Sequence, residues 1–182
     1  MRDTARSRWF LLTGQPGSGK TTIIRLAVGS GHVKVGGFYT EEIRVGGLRS
    51  GFRLVTFDGR HGVLARRGQD TTIHRVGAYS VNVDVIEELA IPALDAAMKS
   101  ADLVVIDEIG KMEMLHPGFV RKLDRIASTP KPVLGTILMT HHPEGDRIKA
   151  LPFAEIHTVT PSNRNAILCR VHEWLGGIAS CC

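Results

Sequence analysis

Two short stretches of the chain hold residue types whose spacing could do chemistry: "GQPGSGKTT" at positions 14–22 and "DEIGKME" at 107–113. In the first, Gly14, Gly19, Lys20 and Thr21 satisfy the pattern Gly, four residues, Gly-Lys-[Ser/Thr], just after the apolar run "WFLL". Glycines let the backbone curl so that successive N–H groups point inward. A helix starting at Lys20 adds partial positive charge, and the two together make a nest for an anion. Gln15, Pro16, Gly17 and Ser18 supply the rest of the loop, and Thr22 continues the helix start. The Lys20 ammonium suits the β and γ oxygens of a nucleoside triphosphate, and the Thr21 hydroxyl suits magnesium.

The second stretch opens with Asp107, which ends the β-branched run "LVVID". A strand of that composition is buried on both faces of a parallel sheet, so Asp107 is expected at the sheet's C-terminal edge beside the phosphates, where it can organise the magnesium. Glu108 follows directly. A carboxylate one residue past the magnesium aspartate can take a proton from a water aimed at the γ phosphate, which suits hydrolysis. Lys111, three residues further on, is a candidate for stabilising transition-state charge, as are Arg44 and Arg53, with Glu41 and Glu42 able to anchor such a cation. Thr136, in "PVLGTIL", is expected near the phosphate-facing end of a buried strand. His141 and His142 are adjacent and cannot easily converge on one ion, which favours a solvated loop.

Base recognition leaves a fainter trace. No Asn-Lys-x-Asp guanine reader is present; the nearest approach, "RKLD" at 121–124, falls in a helical stretch. Arg164, in "TPSNRN", could stack on a base through its planar guanidinium. Ser162 or Asn163 could cap the following helix.

The elements that must position these residues follow from periodicity. A strand is expected near Trp9–Thr13, then the glycine loop and a helix over about Lys20–Val28. "GGFYTEEIRV", "SGFRLVTF" and "HGVLARR" are expected as strands joined at "GG" and "DGR" turns. Ile86, Leu89, Ala90, Ala93 and Ala97 mark a helix over about Asp84–Lys99, with Pro92 able to kink it. Phe119, Leu123 and Ile126 mark another helix. "PVLGTIL" and "AEIHTV" are further strands, and a closing helix begins at about Ser162. Alternating strands and helices give an α/β fold: a mostly parallel sheet covered by helices on both faces, with an antiparallel β insertion near residues 44–67. The two motifs place the chain among P-loop NTPases with an extra strand, "VLGTIL", between the two motif strands.

The chain of 182 residues, 43% hydrophobic and 23% charged, is expected to form one domain over 1–182, with flexible ends at 1–8 and 179–182. The early apolar stretch is too short for a signal peptide or a membrane span, so a cytoplasmic monomer with no membrane partner is expected. Cys169, Cys181 and Cys182 form neither a metal-ligand set nor a disulfide framework. The net charge of +5 is uneven: residues 1–75 hold 13 Lys and Arg against 5 Asp and Glu. An anionic partner fits, either a phosphate compound or a nucleic acid backbone. Nucleic acid is disfavoured because there are only 2 Trp, 2 Tyr and 6 Phe and no aromatic run of the RNA-stacking kind.

Taken in order, "TGQPGSGKTT", "GFYTEEIR", "GFRLVTFDG", "RVGAYSVNV", "AIPAL", "VVIDEIGKMEM", "VLGTI" and "TVTPSNRN" resemble the thermophilic-type nucleoside-triphosphatase family, which has a human cancer-related member. The resemblance spans residues 9 to about 170, within which segment 139–150 follows no family pattern. It implies a RecA-like P-loop core and Mg2+-dependent hydrolysis of several nucleoside triphosphates to diphosphates. The loop residues carry over to Gly14 through Thr22 and the acidic pair to Asp107 and Glu108. A nucleotide or small-molecule kinase is the first rival, because the core would be shared. A nucleic-acid-dependent ATPase or RNA-binding switch is the second.

Overall fold

The computed structural model describes residues 7–29, 31, 33–68 and 73–179. Cys181 and Cys182 lie outside these residues. The chain runs through β1 (Trp9–Thr13), α1 (Lys20–Val28), β2 (Val35–Val45), β3 (Leu48–Thr56), β4 (His61–Arg67), β5 (Arg75–Val76) and β6 (Tyr79–Val81). It continues through α2 (Ile91–Ser100), β7 (Leu103–Ile109), α3 (Pro117–Ala127), β8 (Val133–Ile137), α4 (Pro143–Lys149), β9 (Ala154–Thr158) and α5 (Arg164–Ala179).

The nine strands of the described residues join one sheet in the order β5-β6-β4-β3-β2-β7-β8-β1-β9. The five from β2 to β9 run parallel, and β8 stands between β7 and β1, the place expected for the extra strand between the two motif strands. The antiparallel part is larger than the expected insertion at 44–67. It comprises β3, β4, β6 and β5 and reaches Val81, with β2 as the hinge between both kinds of pairing. Sequence periodicity overlooked β5 and β6 because runs of two and three residues are too short to show alternation.

Strand geometry sends alternate residues to opposite faces, and both faces here are covered. Trp9, Leu11, Val104 and Ile106 pack with residues of α2 and α3, whereas Phe10, Leu12, Leu103 and Val105 pack with residues of α1 and α5. The central strands are therefore apolar throughout. The helix expected over Asp84–Lys99 is continuous, and a π-helical turn over Ile86–Ala90 stands just before Pro92, the residue able to kink it. Segment 139–150 contains α4, started by Pro143 and held by buried Ile148. Seven residues are too few to display a helical stripe.

Two residues expected in a flexible end are tied down. Ser7 Oγ donates to Glu155 at 2.8 Å, and the Arg8 guanidinium lies 3.8 Å over the Phe153 ring.

The register explains how the sheet makes a cleft. β2 pairs with β7 as far as Tyr39 opposite Asp107, then continues to Val45 with β3 at its side. Six further residues carry the β2–β3 hairpin roughly 20 Å past the end of that pairing, so it stands as a wall beside the sheet's C-terminal edge.

Candidate active site

The phosphate loop leaves β1 through Gly14, whose φ of 140° only glycine adopts readily; a Cβ there would meet the Val159 carbonyl oxygen at 2.5 Å. The loop closes through Ser18 N–H, which donates to Gln15 O at 3.1 Å, and ends at Gly19, a left-handed residue that starts α1 with no side-chain cap. An uncapped N-terminus leaves the first helical N–H groups free for an anion. Lys20 Nζ bends back over the loop and donates to the carbonyls of Gly14 at 2.9 Å and Gln15 at 3.2 Å. Ser18 Oγ is buried in the loop without a partner among the described residues.

Asp107 reaches the same edge from β7 and is 2% exposed. Its Oδ1 accepts from Thr136 Oγ1 at 2.5 Å, while its Oδ2 is buried with no hydrogen-bond partner among the described residues. Burial pushes the Asp107 carboxyl up, and the hydroxyls of Thr136 and Thr21 and the Lys20 ammonium pull it back. The hydroxyl of buried Thr136 is thus satisfied by the aspartate. Glu108, half-buried, is also pushed up, chiefly by burial and then by the Asp107 charge, with Lys20 opposing. Both carboxyls line one cleft of about 830 Å³ together with the whole glycine loop except Ser18, and with Lys20, Thr21 and Thr22.

The hairpin forms the far wall of that cleft. Arg44, Arg49 and Phe52 line it. Glu42 binds both arginines, at 2.5 Å for Arg44 and closely for Arg49. Partial burial would raise the Glu42 carboxyl, but the hydrogen bonds from Arg49 and Arg44 hold it below the usual carboxylate range. Arg53, in contrast, pairs with Glu41 at 2.6 Å, and Glu41 also holds Arg25 of α1 at 3.2 Å. Arg53 does not line the cleft, so Arg44 is the better placed of the two arginines singled out from sequence.

Two sequence-chosen residues stand elsewhere than expected. Lys111 is exposed on the turn after β7 and does not line the cleft, because β7 ends at Ile109 and the chain turns away at Gly110. Arg164 is committed to the loop rather than to a base: its Nε donates to Ser18 O at 2.6 Å and its Nη2 to Gly17 O at 3.0 Å. It braces the phosphate loop from the start of α5. Asn163 serves the preceding turn, accepting from Thr160 N–H at 2.8 Å and donating to Thr158 O at 2.9 Å.

Glu42 and Glu41 anchor Arg44 and Arg53, a role the sequence reading allowed them, whereas Arg49 and Glu113 were passed over. Glu113 lies in the quoted acidic motif, yet only the fold reveals that the residue is buried, 4% exposed. Among the described residues no group of three or more His, Cys, Asp or Glu side chains is arranged to hold a metal ion by itself. No helix of those residues is long and apolar enough to cross a membrane.

A sheet with helices on both faces, an anion nest leaving its first strand and two carboxyls from a central strand in one cleft define an α/β protein built to handle phosphates. Residues 9–172 match the family model described as NTPase. The chain belongs to this family of nucleoside-triphosphatases. It is 40% identical over 159 residues to the nucleoside-triphosphatase THEP1 of Thermotoga petrophila, covering 87% of this chain and 88% of that one. The crystal structure of THEP1 from Aquifex aeolicus superposes with a TM-score of 0.82 at 37% identity, over 90% of this chain and 96% of that one. The solution structure of a human cancer-related nucleoside triphosphatase gives 0.76 at 39% identity, over 94% and 97%.

Proposed function

We propose that this chain is a RecA-like P-loop enzyme that hydrolyses nucleoside triphosphates to diphosphate and phosphate, with Mg2+ and with little selection among bases. The observation that carries the reading is Glu108, a carboxyl raised by burial and by Asp107 in the same cleft as Lys20 and the glycine loop. A base of raised pKa binds a proton from water more strongly, which is what attack on phosphorus requires.

Asp107 Oδ2, buried with no hydrogen-bond partner among the described residues and with the Thr21 hydroxyl acting on the same carboxyl, fits a divalent cation arriving with the phosphates, a mode in which one carboxylate and one hydroxyl suffice. Magnesium bound there by Thr21 and Asp107 would neutralise phosphate charge. The loop N–H groups and Lys20 bind the β and γ oxygens. A water beside Glu108 gives a proton to its carboxylate as the water oxygen bonds to the γ phosphorus. The bond from phosphorus to the β–γ bridging oxygen breaks, and the diphosphate leaves with that electron pair. Arg44 and Arg49 are the cations of this chain best placed to meet the charge that develops on the hairpin side. Low base selectivity follows from where the identifiable contacts fall: they address phosphate, and Arg164 is already engaged by the loop.

The test is product analysis with ATP and magnesium, with and without nucleoside monophosphates and RNA. Hydrolysis predicts release of inorganic phosphate at a rate independent of both. Transfer of the γ phosphate to an added acceptor would instead make the protein a kinase, and strong, salt-sensitive stimulation by RNA would point to the nucleic-acid reading.

A further inference from the structure

Glu113 is a buried titratable group on which Glu108 and Asp107 both act, yet the hydrolytic scheme has no use for it. It stands in a short 3₁₀ turn, Glu113–Leu115, that packs against β7 and α3, and its carboxyl is sealed from water. Between it and the catalytic strand lies Gly110. A Cβ at Gly110 would stand 2.7 Å from Glu113 Oε2 and 3.4 Å from Glu108 Cδ. Both carboxyls therefore converge on the position a Cβ at 110 would take, and a methyl group there would collide with the Glu113 oxygen, so only glycine lets the two come this close.

We propose that Glu113 is a positioning residue for Glu108: its buried carboxyl carries a proton and presents it beside Gly110 to the Glu108 carboxylate, fixing the aim of that group at the attacking water. The inference rests on the hydrolytic role of Glu108. Three carboxyls, Asp107, Glu108 and Glu113, crowd one corner of the cleft, and Lys20 is the cation that acts on Asp107 and Glu108. They cannot all ionise together without a large cost. Burial first, and then the charges of Glu108 and Asp107, push Glu113 up to about 8, against the pull of the Gly110 and Glu113 backbone N–H groups. From β7 the titratable groups acting on it are Glu108 and Asp107. The charges of α3 are engaged or exposed: Lys122 holds Asp95, Asp124 holds Arg147, and Arg121 and Arg125 are exposed. His116, next to the turn, accepts from Gly118 N–H through Nδ1 and faces Glu87 through Nε2. A neutral acid in this position can donate a hydrogen bond to Glu108 without adding a second negative charge beside the γ phosphate.

The experiment compares the parent, Glu113→Ala, Glu113→Gln, Glu108→Gln and the double variant Glu108→Gln/Glu113→Ala, with steady-state kinetics from pH 6 to 9.5 and thermal unfolding of each. Glu113→Ala should lower kcat roughly 10- to 100-fold with KM within about twofold, as expected when a group that orients a catalytic residue is lost. Glu113→Gln, which keeps a donor of the same size, should recover most of that loss. It should also hold kcat level above pH 8, where the parent declines as Glu113 ionises. In the Glu108→Gln background, Glu113→Ala should cost nothing more, because the two act as a unit. Parental kcat in Glu113→Ala, a loss expressed in KM, an unchanged alkaline limb in Glu113→Gln, or additive losses in the double variant would each overturn the inference. If Glu113→Ala fails to fold, the Gln variant and its pH profile decide. Parental hydrolysis by Glu108→Gln would instead overturn the hydrolytic reading itself, which keeps the two failures apart.

Discussion

Glu108 and Asp107 are neighbours in sequence, yet their surroundings give them different work. Asp107 is the more deeply buried, fastened by Thr136 and left with one open oxygen, whereas Glu108 is half-buried and faces the cleft. Glu108→Gln keeps size and hydrogen bonding but removes the basic oxygen. Nucleotide should bind at near-parental affinity while single-turnover hydrolysis slows by about 10² to 10⁴, or roughly 3 to 5 kcal/mol of barrier. Asp107→Asn should instead raise the magnesium concentration needed for half-maximal rate as well as lowering the rate. Calorimetry with quenched-flow kinetics across magnesium concentrations separates the two, and a magnesium profile shared by both variants would count against the assigned division. Lys20 is legible from its motif alone, but its hold on the carbonyls of Gly14 and Gln15 is not.

At the scale of elements, the phosphate loop is held from below by α5. Arg164 reaches across from the far end of the chain to two loop carbonyls, and the slot beside Gly19 is filled by its guanidinium, 2.9 Å from where a Cβ would stand. Arg164→Ala should weaken nucleotide binding about five- to tenfold, near 1 kcal/mol, because charge-assisted hydrogen bonds to partly exposed carbonyls are worth about that much. Arg164→Lys should not restore it, since a single ammonium cannot reproduce the planar fork. Isothermal titration with a non-hydrolysable triphosphate checks both, and unchanged affinity in the Ala variant would mean that the loop keeps its shape unaided. Gly14→Ala should be far more damaging than a typical surface change, because it places a methyl group against the Val159 carbonyl at a positive φ. Loss of nucleotide binding together with a lower Tm is the expected result.

For the whole molecule, two measurements follow from how charge and contacts are distributed. Rates with ATP, GTP, CTP and UTP should agree within about tenfold, or roughly 1.4 kcal/mol of differential transition-state binding. A thousandfold preference would reveal a base pocket. The second measurement concerns stability. Glu113 binds its proton more tightly folded than unfolded, with a folded value of about 8 against an ordinary 4.5. Its contribution is therefore fully favourable below pH 4.5 and is lost progressively as pH rises to 8. Buried His157 pulls the other way near neutrality, since burial lowers it, so the parent's pH curve mixes both effects. The Tm difference between Glu113→Gln and the parent isolates the first. It should grow in favour of the variant from pH 5 to 8.5 in metal-free buffer, and a flat difference would contradict the assignment.

Local chemistry was written into the chain wherever a motif is contiguous. The curl of "GQPGSGKTT", the buried run ending at Asp107 and the order of the main strands and helices each depend on neighbours a few residues apart, and periodicity or residue type carries that information. What joins distant segments was not legible. Arg164 meeting Ser18, Arg49 joining Arg44 on Glu42 in a wall raised beside the cleft, and Glu113 converging with Glu108 beside Gly110 all depend on where the sheet ends and which chain turns over it. Lys111 makes the same point in reverse: three residues from Glu108 in sequence, it is carried out of the cleft by the turn that follows β7. The sequence by itself determined which residues could bind and cleave a phosphate. Only the tertiary structure decided which of them share one desolvated space, because burial and the electrostatics it amplifies are properties of packing and not of spacing along the chain.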